Sequence, residues 1–230
     1  MSGATLKDLA TVNYRQPHAV LFSGGKDSTL ALDRALRRGY HVARLVTLYD
    51  GPSGRVRFHG VPAGVMRAQA EALGLPTTLA PTTPETFEAV FLRTLAELRA
   101  EGIGGLILGD IHLADVRAWY EERVTAAGLA HVEPLWGEEP LALVREVIAR
   151  GYRAVLTCVE VARADPAWLG RELTAELVEA FVARGIDPCG EYGEYHTLVV
   201  DGPLFRRPLP VALGEVVRGG GFAQVDVRLG

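Results

Sequence analysis

The sequence predicts an α/β fold, a parallel sheet flanked by helices, with a smaller α+β lobe at its C-terminal end. Three observations predict it. Short apolar runs alternate with amphipathic segments through the first half of the chain. A glycine turn joins the first apolar run to the first amphipathic segment. The alternation ends near Pro134, and two closely spaced strand-like runs close the chain. A βαβα order implies parallel strands with helices on both faces.

The elements follow in order. Residues 18–22 read as a strand and 28–38 as a helix; 42–49 is a second strand, followed by a Gly/Pro/Ser loop at 50–57. Residues 62–73 read as a helix ended by Gly74, and 77–80 as a short strand. The stretch 84–101 is a long helix with Phe87, Phe91, Leu95 and Leu98 on one face. Residues 105–109 form a strand, and 114–127 a helix stopped by Gly128. Beyond Pro134 come a helix at 140–150, a strand at 154–159, a helix at 171–184 and a Gly/Pro/Glu loop at 185–194. Strands at 196–200, 211–217 and 223–229 complete the chain. The expected division is 1–136 and 137–230.

The most informative segment is Ser23-Gly24-Gly25-Lys26-Asp27-Ser28, between the first strand and the first helix. Such a turn aims several backbone N–H groups at one point, and the helix adds the positive end of its dipole there. Glycines at 24 and 25 allow close approach of the backbone. Ser23 and Ser28 offer hydroxyls and Lys26 a charge, so the expected guest is a phosphate or pyrophosphate. The spacing of a Walker loop and that of Gly-x-Gly-x-x-Gly are both absent. In open α/β sheets ligands sit at the carboxyl ends of strands, near a switch in strand order. The glycine turn and Gly109-Asp110 both lie at such ends.

Composition narrows the classes. The chain has 230 residues, 48% of them hydrophobic, and a formal net charge of -4. That balance argues against nucleic acid as the partner, which favours basic surfaces. Lys7 and Lys26 are its two lysines. Cys158 and Cys189 form no Cys-x-x-Cys, which argues against a zinc site or an iron–sulfur cluster. No apolar run is long enough to span a bilayer and no signal peptide opens the chain, so the expectation is a cytoplasmic protein with no membrane partner.

A second constellation is Pro188-Cys189-Gly190-Glu191-Tyr192-Gly193-Glu194-Tyr195-His196-Thr197, followed by Asp201-Gly202-Pro203-Leu204-Phe205. Two acids beside a histidine can bind a metal, hold an ammonium ion or act as acid and base. An ordinary loop with solvated acids has the same composition.

The glycine turn resembles the PP-loop, Ser-Gly-Gly-x-Asp-Ser, of the N-type ATP pyrophosphatases. The late constellation is similar to the signature of one branch, the diphthine–ammonia ligase family with its diphthamide-synthase-type ATP-binding domain. His59-Gly60, the run from Gln69 to Pro76, Gly109-Asp110-Ile111, Arg117 with Glu121, Gly128-Leu129, Pro134-Leu135-Trp136-Gly137 and Leu169-Gly170-Arg171 match in order. The resemblance spans nearly the whole chain. One departure is Trp119, where a second arginine is usual.

The resemblance implies an adenine nucleotide alpha hydrolase-like (HUP/Rossmann-like) fold, with a nucleotide-binding domain at 1–136 and a substrate and ammonia lobe at 137–230. It implies an AMP-forming carbon–nitrogen ligase. ATP adenylates a carboxylate, pyrophosphate leaves, and ammonium supplies the amine. In that family the acceptor is a modified histidine of elongation factor 2, so an elongation-factor-2-like protein is the expected partner; a homodimer is a further expectation. Ser23, Gly24, Gly25, Lys26, Asp27, Ser28, Gly109 and Asp110 would hold the nucleotide, and Asp27 would hold Mg²⁺. Lys26, Asp27, Glu191, Glu194 and His196 would carry the chemistry. His59, Arg117, Glu121, Glu191 and Glu194 would meet the acceptor or ammonium. Arg117 and Glu121, at i and i+4 on a helix, read equally as a surface ion pair. Two competing functions are a tRNA-modifying enzyme of thiolation or lysidine type, with Cys158 and Cys189 relaying sulfur, and a nucleotide-binding sensor.

Overall fold

The computed structural model describes residues 16–230; Lys7 lies outside the described residues. The parallel sheet has the order β3-β2-β1-β4-β5. Its strands are β1 (Pro17–Leu21), β2 (His41–Asp50), β3 (Thr77–Thr82), β4 (Gly105–Ile107) and β5 (Ala130–Val132). Helices α1 (Lys26–Arg37), α2 (Ala63–Leu73), α3 (Phe87–Ala100) and α4 (Ala114–Ala126) connect them. Neighbouring residues of β1 feed opposite faces, as the two-residue period of a strand requires. Val20 packs with Leu30, Leu45 and Ile107 on one face. Ala19 packs with Phe91, Leu95 and Leu106 on the other. This double coverage explains the continuous apolar run at 19–22. Strand order reverses between β1 and β4, which places the switch point beside the glycine turn.

The second sheet is antiparallel, in the order β7-β6-β9-β8. It contains β6 (Arg153–Glu160), β7 (Tyr195–Asp201), β8 (Val211–Gly219) and β9 (Phe222–Leu229), with α5 (Pro140–Ala149) and α6 (Ala175–Ala183) packed nearby. One apolar cluster runs from Val20 and Leu30 through Leu143 to Phe181, Leu198 and Val227, so the second sheet builds on the α1 side of the first.

The structure corrects several boundaries. β5 was absent from the expected elements, because three residues are too few to show a period; β4 recruits them by pairing Leu106 with His131. The helix expected at 171–184 begins only at Ala175, where the Thr174 side chain caps it by accepting from the Leu177 N–H. Residues before that cap serve the sheet instead: the Leu173 N–H donates to the Ala154 carbonyl at 2.7 Å. α3 starts at Phe87 rather than 84, because Thr83 and Thr86 close a turn of their own.

Candidate functional site

The glycine turn leaves the carboxyl end of β1 and enters α1. Gly24 has φ +79°, and a Cβ there would stand 2.5 Å from Gln69 Oε1. A Cβ on Gly25 would stand 2.7 Å from His59 Cε1. Gly24 is favoured by its conformation, and Gly25 by packing against the His59 ring and the Thr197 carbonyl. Ser28 Oγ donates to the Gly25 carbonyl at 3.1 Å and lies 3.3 Å from Ser23 Oγ. Gly109 closes the turn from the far side: a Cβ on it would lie 3.1 Å from Asp27 C and Ser28 N.

The second sheet locks this turn. The Val199 N–H donates to the Gly24 carbonyl at 2.9 Å. The Lys26 N–H donates to Thr197 Oγ1 at 3.1 Å. Gln69, fully buried in α2, donates to the Gly24 and Val199 carbonyls at 3.0 and 2.7 Å. Gln69→Leu removes both bonds within a buried seam. Denaturant unfolding should show a loss of about 1–3 kcal/mol.

Lys26 is buried, with its ammonium 4.7 Å from the Tyr195 ring centroid. It donates to Asp27 Oδ2 at 2.8 Å and to the Cys189 carbonyl. Burial alone would lower its pKa, but Asp27 and its other neighbours reverse the effect and hold the group well above the usual lysine value. Burial raises the Asp27 carboxyl, against the pull of Lys26.

These groups face a cavity of about 510 Å³ that extends from the carboxyl ends of β1, β2 and β3 to the 189–197 loop. One wall is acidic, carrying Asp27, Asp110 and Glu191. Glu191 Oε2 accepts from the Ile111 N–H at 3.3 Å, which sets the carboxylate beside the end of β4. Burial, reinforced by Asp27, pushes Glu191 up to about 8. Burial, with Glu133, pushes Asp110 up to about 6. The other wall carries Leu48, Arg57, His59, Thr82, Phe87 and His196. His59 Nδ1 donates to the Thr197 carbonyl at 3.0 Å, which fixes its tautomer. Burial lowers His59 to about 4. Burial, with His59 and Lys26 nearby, holds His196 well below the usual imidazole value, and its Nε2 is buried without a partner. Both imidazoles are neutral at physiological pH.

Most of the sequence-derived candidates meet here. Ser23, Lys26, Asp27, Ser28, His59, Gly109, Asp110, Glu191 and His196 line the cavity, and Gly24 and Gly25 shape its floor. Three candidates do not line it. Glu194 is fully buried in the loop; it accepts from the Asp187 and Tyr192 N–H groups and pairs with Arg163 at 3.0 Å. Arg117 stacks 4.6 Å from the Trp136 ring centroid and pairs with buried Glu133 at 2.9 Å. Glu121 keeps only the longer 3.6 Å ion pair to Arg117. These three stand off the cavity wall: Glu194 is buried in the loop, Arg117 is paired within the protein, and Glu121 is half exposed on α4.

Sequence reasoning passed over Thr197, Arg57 and Phe87 as site residues, and gave Gln69 no role. A glutamine on the otherwise apolar buried face of α2 was the available signal for Gln69. Nothing in the sequence set Arg57 apart from other surface arginines. Among the described residues no group of three or more His, Cys, Asp or Glu is placed to hold a metal by itself. No helix among them is long and apolar enough to cross a membrane.

Known proteins share this arrangement of sequence. The family model for the diphthamide synthase N-terminal domain matches residues 16–131, and that for the diphthamide synthase C-terminal domain matches 139–225. A Rattus norvegicus protein named diphthine–ammonia ligase is 29% identical over 224 residues, covering 86% of this chain and 84% of its own length. The Homo sapiens protein of that name is 27% identical with the same coverages. The Schizosaccharomyces pombe protein of that name is 26% identical, and the match covers 36% of its length. Among solved structures, the U34-tRNA thiolase NcsA of Methanococcus maripaludis, with its [4Fe-4S] cluster, is 18% identical with a TM-score of 0.38, over 58% of this chain and 57% of the other. With both halves of the chain matched in order, around a glycine turn that the second half locks in place, the chain belongs to the diphthamide synthase family.

Proposed function

We propose that this protein is an ATP-dependent amide ligase that adenylates a carboxylate and aminates the product with ammonium. The observation that carries the reading is one cavity, at the switch point of a parallel sheet, with the glycine turn at its base and three carboxylates on one wall. Membership of the family and relatives named diphthine–ammonia ligase support it. In the first step a carboxylate oxygen attacks the α-phosphorus of ATP and pyrophosphate leaves. In the second, ammonia attacks the acyl carbon, AMP leaves with the bonding electrons, and an amide remains.

The residues divide that work. The remaining backbone N–H groups of the 23–28 turn hold the terminal phosphates, as helix N-termini do; those of Gly25 and Lys26 are engaged by Ser23 Oγ and Thr197 Oγ1. Buried Lys26 fixes the shape and charge of the turn. The adenosine lies along Leu21, Leu48, Thr82 and Phe87, the apolar side of the cavity. Gly109 and Asp110 face the α-phosphate. Glu191 takes a proton from ammonium, so that free ammonia is released beside the acyl-adenylate. Glu194 positions the loop that carries Glu191. The residues fit Mg²⁺, which takes one or two carboxylates together with substrate phosphates. Asp27 would hold it, and the ion would neutralise charge on the pyrophosphate. An acceptor on an elongation-factor-2-like protein and a functional division near residue 136 belong to the same proposal.

The sulfur-relay alternative is disfavoured by the cysteines. Burial pushes the thiols up, Cys158 to about 11, and Cys189 Sγ donates to the Pro140 carbonyl at 3.2 Å. Protonated thiols are poor nucleophiles. The double variant Cys158→Ala, Cys189→Ala should retain pyrophosphate release within about threefold, read by a coupled pyrophosphate assay. The deciding experiment incubates the protein with ATP, ammonium and cell extract, and identifies nucleotide products and amidated species by mass. AMP and pyrophosphate are expected; ADP and phosphate would refute the reading.

A further inference from the structure

Residues 57–59 form a γ-turn. The His59 N–H donates to the Arg57 carbonyl at 2.7 Å, and Phe58 has φ +63°. A bulky residue in the left-handed region is strained, and such strain persists only where its surroundings impose it. Here they do. The Val56 N–H donates to the Val61 carbonyl at 2.8 Å, and the Gly60 N–H to the Val56 carbonyl at 3.0 Å. Arg55 Nη1 donates to the Gly60 carbonyl at 2.6 Å, and the His59 ring is tied to Thr197. The turn sets Arg57, Phe58 and His59 together on the cavity wall, with Phe58 63% exposed and stacked on His196 at 5.9 Å between ring centroids.

The Arg57 guanidinium lies 5.7 Å from the Phe87 ring centroid, and its Nη2 is buried without a hydrogen-bond partner. A buried donor without an acceptor is costly, so a site that keeps one is shaped for an acceptor brought from outside. Asp50 and Glu85 sense Arg57 only at a distance. Lys26, the other cation lining the cavity, is engaged by Asp27 and the Cys189 carbonyl. Both cavity imidazoles are neutral, and the facing wall carries acidic side chains, Asp27, Asp110 and Glu191, which offer a phosphate no positive charge. Arg57 is therefore the positive group on this wall with a donor to give.

We infer that Arg57 binds a phosphate oxygen of the nucleotide, as a catalytic residue held in place by the strained 57–59 turn. The inference rests on the ATP reading above and adds a residue to it. Stacking on the base is the competing use of a guanidinium, but it leaves the Nη2 N–H unsatisfied.

The test compares the affinities of ATP and adenosine by titration calorimetry for the wild type, Arg57→Gln and Arg57→Lys, with thermal unfolding of each as the folding control. Arg57→Gln should weaken ATP about 10- to 100-fold, as loss of a charged hydrogen bond does. Adenosine should stay within about twofold of wild type, and Arg57→Lys should fall between. Unchanged ATP affinity overturns the inference, as does adenosine weakening in step with ATP. If the glutamine variant does not fold, the lysine variant is held to the same criteria with a smaller loss. A wild type that binds no ATP overturns the ATP reading and this inference together; a wild type that binds ATP beside variants that bind it equally well overturns this inference alone.

Discussion

Asp27→Ala is expected to abolish pyrophosphate release while the chain stays folded. Asp27 sits in the first turn of α1, between the glycine turn and Gly109, and its side chain is 24% exposed. Removing it takes no apolar contact from the core. It leaves the Lys26 ammonium with the Cys189 carbonyl and the Tyr195 ring as its remaining partners. It also removes the carboxylate proposed to hold Mg²⁺ against the phosphates. Loss of such electrostatic stabilisation at a transferring phosphoryl group costs about a hundredfold or more in rate. Stability should fall less than for a fully buried ion pair, where breaking the pair costs about 3–5 kcal/mol. Asp27→Asn, which keeps the size of the side chain, should be equally inactive and closer to wild type in thermal unfolding. Wild-type turnover in either variant would remove Asp27 from the site.

Glu191→Gln is expected to have the next largest effect, and one that depends on pH. The Glu191 carboxyl is raised to about 8 by burial and by Asp27, so it is largely protonated at neutral pH and ionises as pH rises through 8. Only the ionised form accepts a proton from ammonium. The rate of amide formation should therefore climb with pH through that region in the wild type. The glutamine variant should lose about a hundredfold or more, the usual contribution of a general base, and its profile should lose this rise. Stability gives an independent readout. In the unfolded chain Glu191 releases its proton near the ordinary carboxylate value of about 4.3. The folded chain holds the proton until about 8. Between those values the folded state binds more protons, so the stability of the wild type declines as pH rises. Unfolding midpoints of the glutamine variant should lack this part of the decline. Parallel pH profiles in the two proteins would remove Glu191 from both roles.

Much of the site was legible in the sequence because it is made of local text. The glycine turn is six consecutive residues, and its position after an apolar run and before a helix already fixed its geometry. Gly109-Asp110 could be placed because parallel strands present their carboxyl ends to one side. Glu191 and Glu194 looked alike in the sequence, two acids in one glycine-rich loop. They separate only in three dimensions: one loop turn sends Glu191 to Ile111 and the cavity, and Glu194 inward to Arg163. The Arg117–Glu121 pair was half legible. Its helical spacing gave the ion pair, but the stronger partner, Glu133, lies beyond the end of α4 and no period announces it. β5 and the late start of α6 escaped for a related reason: each is decided by pairing with a neighbouring strand rather than by its own pattern. The bonds of Thr197 to Lys26 and of Gln69 to Val199 join residues more than a hundred positions apart, a relation that only the assembled sheets express.

The most direct test is a crystal structure of the protein with Mg²⁺ and an ATP analogue that resists cleavage between the α and β phosphates. The β and γ phosphates are expected against the backbone amides of the 23–28 turn that Ser23 and Thr197 leave free, with the α-phosphate turned toward Asp110 and Glu191. A triphosphate seated elsewhere, with those amides facing solvent, would contradict it.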